Sequence, residues 1–319
     1  MKADRFTVAL LATVVLASLL PVRGEAAAWA GRVTTAAIAL LFFLHGAKLS
    51  REAILQGIGN WRLHLLVLAS TFLLFPLLGL LVRLLPGLKP EVAAGVLYMT
   101  LLPSTVQSSI AFTSVARGNT PAAVCAASAS NLLGVFLTPA LVGLVMPQWA
   151  GRGGSGVSLE SVGAILLQLL LPFVLGHLSR PLTRGFVERH KAVVGLVDRG
   201  SILLVVYTAF AAAVVEGLWS RLGAADLAVV FVLDAAVLAA ALLATRAAAR
   251  ALGLPKPDEI ALVFCGSKKS LASGAPMAAA LFPAASAGVL LTPIMIFHQL
   301  QLLACAQIAR RYAERREAA

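Results

Sequence analysis

The sequence predicts an all-α membrane protein of ten transmembrane helices, arranged as two inverted five-helix repeats. Three observations carry this expectation. The 319 residues are 60% hydrophobic and only 13% charged, whereas a soluble domain has about 25% charged residues to cover its surface. Apolar runs of about 20 residues, the length needed to cross a bilayer, recur ten times. The fourth and ninth runs are each interrupted near the middle by polar, glycine or proline residues, so comparable features fall at comparable places in two halves of the chain.

The ten segments are 7–22, 30–48, 62–86, 91–116, 120–146, 159–179, 196–217, 225–250, 258–282 and 286–309. The first follows Lys2 and Arg5 and precedes small residues at Ala26–Ala28, a pattern that also fits a secretory signal peptide. Removing it would leave nine helices and spoil the symmetry. The second ends in FFLHGAKLS, with His45 near the membrane end, and the third is apolar almost throughout. The fourth reads LPSTVQSSIAFTS around Pro103, and the fifth carries Ser128, Ser130 and Asn131. A glycine-rich turn at 151–156 has no phosphate-loop spacing. The sixth segment ends near His177 and is followed by the longer polar connection 179–194. The eighth, VVFVLDAAVLAA, buries Asp234. The ninth reads FCGSKKSLASGAP, and the tenth contains TPIMIFHQLQLL before a basic tail at 310–319. Repeat 1 spans about 7–146 and repeat 2 about 159–309. With five helices per repeat, the second copy is inverted and segments 4 and 9 are counterparts.

The formal net charge is +12. The cations sit in short gaps between apolar runs, not along one face, which argues against nucleic acid as a partner and for the lipid bilayer. With the N-terminus inside, Lys48, Arg51, Arg62, Arg117, Arg180, Arg184, Arg189, Lys191, Arg246, Arg250 and Lys256 fall in inner connections. Arg23, Arg32, Arg83, Lys89, Arg152 and Arg221 fall in outer ones. The excess places both termini in the cytoplasm. Cys125, Cys265 and Cys305 lie in apolar runs without metal-ligand spacing. No HExxH or GxSxG motif occurs, so the expectation is not an enzyme.

Lys268 and Lys269 are the centre of the candidate site, because ionisable residues inside a membrane segment mark substrate or ion pathways. Gln107, Ser108 and Ser109 at the interruption of segment 4, Ser267 and Ser270 beside the lysines, and Ser128 and Asn131 in segment 5 complete it. Thr71, Asp234, His298 and Gln301 are supporting candidates; helical spacing puts His298 and Gln301 on one face. Pro103, Gly266, Gly274 and Pro276 are expected to break segments 4 and 9, freeing backbone groups that must line a cavity or be buried in protein. Asp234 and Glu259 are candidate counter-ions that would neutralise a lysine internally. Adjacent helical residues point about 100° apart, so one lysine would face a cavity and the other the core.

ARGN at 116–119, LTP at 137–139 and GSKKSLASG at 266–274 together resemble the bile acid:sodium symporter superfamily, in the branch that groups vertebrate sodium/bile acid cotransporter 7 with bacterial proteins. The resemblance runs over nearly the whole chain. It implies a panel of helices 1, 2, 6 and 7, a core of helices 3–5 and 8–10 with broken helices 4 and 9 crossing, and alternating access. It further implies a small organic anion as cargo, sodium as the coupling ion with no other cofactor, and the bacterial inner membrane as location. The sodium ligands of the bile-acid branch fall on Ser109 and Ile110, Ala123 and Ala127, Phe264, Lys268 and Lys269, and Thr71, so most have no counterpart here. Two roles for the lysines follow: one ammonium stands where sodium stands in relatives, or one pairs with an anionic substrate. Proton-coupled or facilitative transport, and a membrane-embedded regulator of ion homeostasis, are the alternative functions. Oligomeric state is not legible.

Overall fold

The computed structural model describes residues 5–48, 60–149 and 159–314. The glycine-rich turn at 151–156 and the end of the basic tail at 315–319 lie outside them. The fold is all-helical: α1 (Arg5–Leu19), α2 (Gly24–Lys48), α3 (Trp61–Arg83), α4 (Pro90–Leu101), α5 (Gln107–Val115), α6 (Thr120–Val145), α7 (Leu159–Leu178), α8 (Arg180–Arg189), α9 (Lys191–Val215), α10 (Leu218–Arg221), α11 (Ala224–Ala251), α12 (Lys256–Gly266), α13 (Leu271–Leu281) and α14 (Ala284–Ala313). Among the described residues six helices, α2, α3, α6, α9, α11 and α14, are single runs long and apolar enough to cross a membrane.

The chain divides into two compact units. The first comprises the described residues of Met1–Ser50, Thr138–Leu227 and Ala272–Thr292. Its tightest contact is α2 on α7. A Cβ on Gly46 would lie 2.0 Å from the carbonyl oxygen of Phe173, and one on Gly176 would lie 2.0 Å from that of Phe43. Lipid tails supply no hydrophobic drive between helices, so close backbone approach through small residues is what holds such a pair. Gly176→Ala is therefore expected to cost roughly 2–3 kcal/mol, read as an earlier thermal unfolding transition in detergent. An unchanged transition would show that the two helices can separate freely.

The second unit comprises the described residues of Arg51–Leu137, Ala228–Leu271 and Pro293–Ala319. Here α4 and α5 are separated by the extended link 102–106, and α12 ends at the link 267–270, after which all of α13 but Leu271 counts with the first unit. The expected interruptions of segments 4 and 9 fall at these places, with two corrections. Lys268 and Lys269 lie in the non-helical link, so the 100° helical spacing does not govern them. Gly274 and Pro276 lie inside α13 and do not break it. The break comes earlier, at Gly266, which ends α12 in close packing: a Cβ there would stand 3.0 Å from Thr245 and 3.3 Å from Ser70.

The ARGN motif has a physical account. After α5, the Gly118 N–H bonds Thr113 O and the Arg117 N–H bonds Ser114 O, the paired bonds of a Schellman cap with Arg117 in the left-handed position (φ 56°). A Cβ on Gly118 would lie 2.5 Å from Ile260 Cγ2. Asn119 Nδ2 then donates to Asp258 (2.6 Å), which Asn60 also reaches (2.9 Å). The turn thus fixes the start of α12 against the start of α6.

Candidate functional site

Helix α12 ends inside the protein, and the last four carbonyls of a helix have no partner within it. In a membrane, water cannot take them. Four serines do. Ser267 donates to Val263 O, Ser109 to Phe264 O (2.8 Å), Ser104 to Cys265 O and Ser70 to Gly266 O (2.6 Å). These hydroxyls come from the link itself, from α5, from the link 102–106 and from α3, so the broken end of one helix collects the other elements around it. The link 102–106 is held in turn: Ser130 Oγ accepts from Ser104 N–H (3.0 Å), and Asn131 Nδ2 donates to Ser104 O (2.6 Å). Ser270 N–H crosses to Pro103 O (2.9 Å).

Lys269 closes this crossing. Its Nζ donates to Leu102 O at 2.6 Å and to Thr71 O at 2.8 Å, and stands 4.2 Å from the ring centroid of Phe75. Both carbonyls are free for a reason written in the chain. Leu102 begins the non-helical link before Pro103. Thr71 lies in a π-helical stretch, Ser70–Leu74, in which the Phe75 N–H bonds Ser70 O, a five-residue step. The same step would give Thr71 O to residue 76, which is Pro76 and has no N–H. Lys269's own backbone is clamped by Gln301, whose Oε1 accepts from the Lys269 N–H and whose Nε2 donates to the Lys269 carbonyl, both at 2.9 Å. His298 Nδ1 lies 3.0 Å from the same amide nitrogen, which fulfils the expectation that His298 and Gln301 share a face. Gln301→Leu would strand a buried N–H and C=O at the crossing. It is expected to cost about 2–4 kcal/mol, whereas Gln301→Glu, which keeps the acceptor, should recover part of that loss in the same melting experiment.

Lys268 shares its neighbour's burial and a close aromatic ring but not its hydrogen bonds. It is fully buried, yet its Nζ has no hydrogen-bond partner. Its Nζ lies 4.4 Å from the ring centroid of Phe112 and 5.5 Å from that of Phe264. Cation–π contact offsets only part of the cost of burying a charge.

The counter-ions expected from sequence do not neutralise either lysine. Asp234 is buried in α11 with both carboxylate oxygens unbonded, beside the backbone of Phe297. Glu259 is engaged elsewhere: Lys256 Nζ and Tyr312 Oη both donate to its Oε1 at 2.8 Å. Of the other candidates, Ser109, Ser267, Ser270 and Asn131 hold the crossing together as described, and Thr71 takes part through its carbonyl; its hydroxyl bonds Val67 O (2.7 Å). Ser108 bonds Thr105 (2.8 Å). Gln107 is exposed at the start of α5, and Ser128 is half-buried on α6. Ser70 and Ser104 were not singled out by sequence. Each stands beside a threonine, Thr71 or Thr105, in a largely apolar stretch, and hydroxyls in such stretches commonly just bond back to their own backbone.

An all-helical, multi-pass membrane protein whose interrupted segments meet at a buried, hydrogen-bonded crossing has the build of a secondary transporter. The chain belongs to the SBF-like CPA transporter family (DUF4137), whose model it matches over residues 4–314. An uncharacterized Pseudomonas aeruginosa protein, PA2026, is 55% identical over 98% of this chain and 94% of its own length. YfeH of Escherichia coli K12 is 55% identical over the same shares. Sodium/bile acid cotransporter 7-B of Xenopus laevis is 25% identical over 95% of this chain and 90% of its own length. These relationships place the protein in the bile acid:sodium symporter superfamily, as a multi-pass membrane protein with close bacterial relatives. Family and fold are those of non-catalytic transporters, and among the described residues no group of His, Cys, Asp and Glu could hold a metal.

Proposed function

We propose that the protein is a secondary active transporter of a small organic anion, working by alternating access in the bacterial inner membrane with both termini in the cytoplasm. Its frame is ten transmembrane helices in two inverted repeats, about 7–146 and 159–309. Support comes from the matched interruptions at 102–106 and 267–270; the division of the chain follows the expected panel and core only in part, since α1, α2, α7 and α9 group in one unit and α3, α4, α5 and α12 in the other, while nearly all of α13 and parts of α6 and α14 fall with the first unit.

The observation that carries the reading is the pair of lysines. Carbonyls freed at a helix break are the groups that hold a coupling cation in such transporters. Here Lys269 supplies that cation from within the chain, so transport needs no sodium at this place. Lys268, buried without an acceptor, is left to meet the anionic group of the cargo in the state that admits it. A second reading, sodium coupling, is favoured by the names of the vertebrate relatives, sodium/bile acid cotransporter 7.

Proteoliposomes on a solid-supported membrane would test both. With choline replacing sodium, a panel of small carboxylates and sulfonates should include one that gives a saturable transient current. A current that appears only with sodium would favour the second reading. Silence across the panel, with sodium and with an imposed pH gradient, would overturn both.

A further inference from the structure

Helix α8 stands apart from the other helices. It joins two apolar helices, α7 and α9, yet buries none of its own residues. Its sequence, RPLTRGFVER, has an apolar ridge and a charged side at 3.6 residues per turn. Leu178 at the end of α7, then Leu182 and Phe186, follow at four-residue steps along one side. Arg180, Arg184 and Glu188 follow at the same steps along the opposite side, with Val187 beside them, while Arg189 in the last turn falls on the apolar side and Lys191 opens α9. Leu182 is 89% exposed, the most exposed large apolar side chain among the described residues, with Leu178 at 65% and Phe186 at 58%. The helix has local reasons to form: Pro181 in its first turn, Thr183 bonding Ser179 O (3.1 Å) and the Arg184–Glu188 pair at 2.7 Å. Phe186 is held rigid by stacking on His190, with ring centroids 4.4 Å apart.

We infer that α8 is an interfacial helix that binds the anionic phospholipid headgroups of the cytoplasmic leaflet. Leu178, Leu182 and Phe186 enter the acyl layer, and the cationic side meets phosphate. Two features single out this occupant. The helix is continuous at both ends with apolar helices, which fixes it at the level of the membrane surface. Its charge is complementary to anionic lipid: Arg180, Arg184, Arg189 and Lys191 oppose a single carboxylate, Glu188. An amphipathic helix with an apolar ridge and a basic face lies in the headgroup plane for these reasons. Because α8 packs on α2, the lipid layer becomes part of what holds the inner end of the α2–α7 pair. The inference does not depend on which solute is carried.

The test uses the full chain in vesicles. The native cysteines Cys125, Cys265 and Cys305 are all buried, so a nitroxide introduced through Leu182→Cys reports on α8 alone. In phosphatidylcholine vesicles with phosphatidylglycerol added, the label should collide with oxygen and be shielded from a water-soluble nickel chelate. Free access to the chelate would overturn the inference. So would exclusion of both reagents, which would mean a protein partner or a second copy covers the helix. A second variant separates charge from insertion. Joint replacement of Arg180, Arg184 and Arg189 by Gln should weaken the affinity of the detergent-solubilised protein for short-chain phosphatidylglycerol by about tenfold or more. An unchanged affinity would remove the headgroup half of the proposal.

Discussion

Lys269→Met in the purified protein is expected to lower stability by about 3 kcal/mol or more. The substitution keeps an unbranched side chain, one atom shorter, and removes the charged nitrogen. Two carbonyls, Leu102 O and Thr71 O, would then be buried without a donor, in a place where water cannot replace the ammonium. Uptake should vanish with it, because the extended link at 102–106 and the π-helical stretch at Ser70–Leu74 would lose the group that joins them. Thermal unfolding in detergent reads the first effect. Methylammonium offers a rescue: it should raise the transition of Lys269→Gly and leave wild type unmoved. If Lys269→Met unfolds where wild type does, the ammonium is not what holds the crossing.

Lys268→Met is expected to do the reverse to stability while also abolishing transport. The Lys268 ammonium has no acceptor, so methionine relieves the cost of a buried, unpartnered charge and keeps the contacts with Phe112 and Phe264. The unfolding transition should stay in place or rise by a few degrees. Uptake of the anionic cargo should fall by roughly 100-fold, the loss that follows from removing one partner of a desolvated charge pair. Two adjacent lysines, equally buried, thus give opposite signs in one assay. A destabilised Lys268→Met with cargo binding intact would assign this lysine to structure and leave the cargo's anionic group without a partner in this account.

The sequence carried the all-helical membrane character of the chain and the places where two segments are interrupted, because those signals are local. Hydrophobic runs marked the helices, and Pro103 and Gly266 marked where two of them stop. The same local logic pointed to Lys268 and Lys269, since two cations cannot sit in an apolar run without a reason, and to the shared face of His298 and Gln301. What was not legible depends on the crossing itself. Ser70 and Gly266 are 196 positions apart, and Ser104 and Cys265 are 161 apart; no periodicity announces that these hydroxyls cap a helix in another part of the chain. Thr71 was singled out for its side chain, yet its carbonyl is the group that matters. That carbonyl is free only because a π-helical step brings it to Pro76, a combination invisible without the backbone. Asp234 illustrates the converse. Its charge suggested a lysine partner, and the geometry gives it none: neither oxygen is hydrogen-bonded to Lys268 or Lys269.

The central claim is that the chain supplies its own cation at the crossing. Calorimetric titration of sodium into the purified protein tests it without knowledge of the cargo. Wild type is predicted to show no saturable heat, and Lys269→Ala is predicted to gain a sodium site at the vacated carbonyls. Saturable sodium binding by wild type, unchanged in Lys269→Ala, would contradict the claim and restore sodium as the coupling ion.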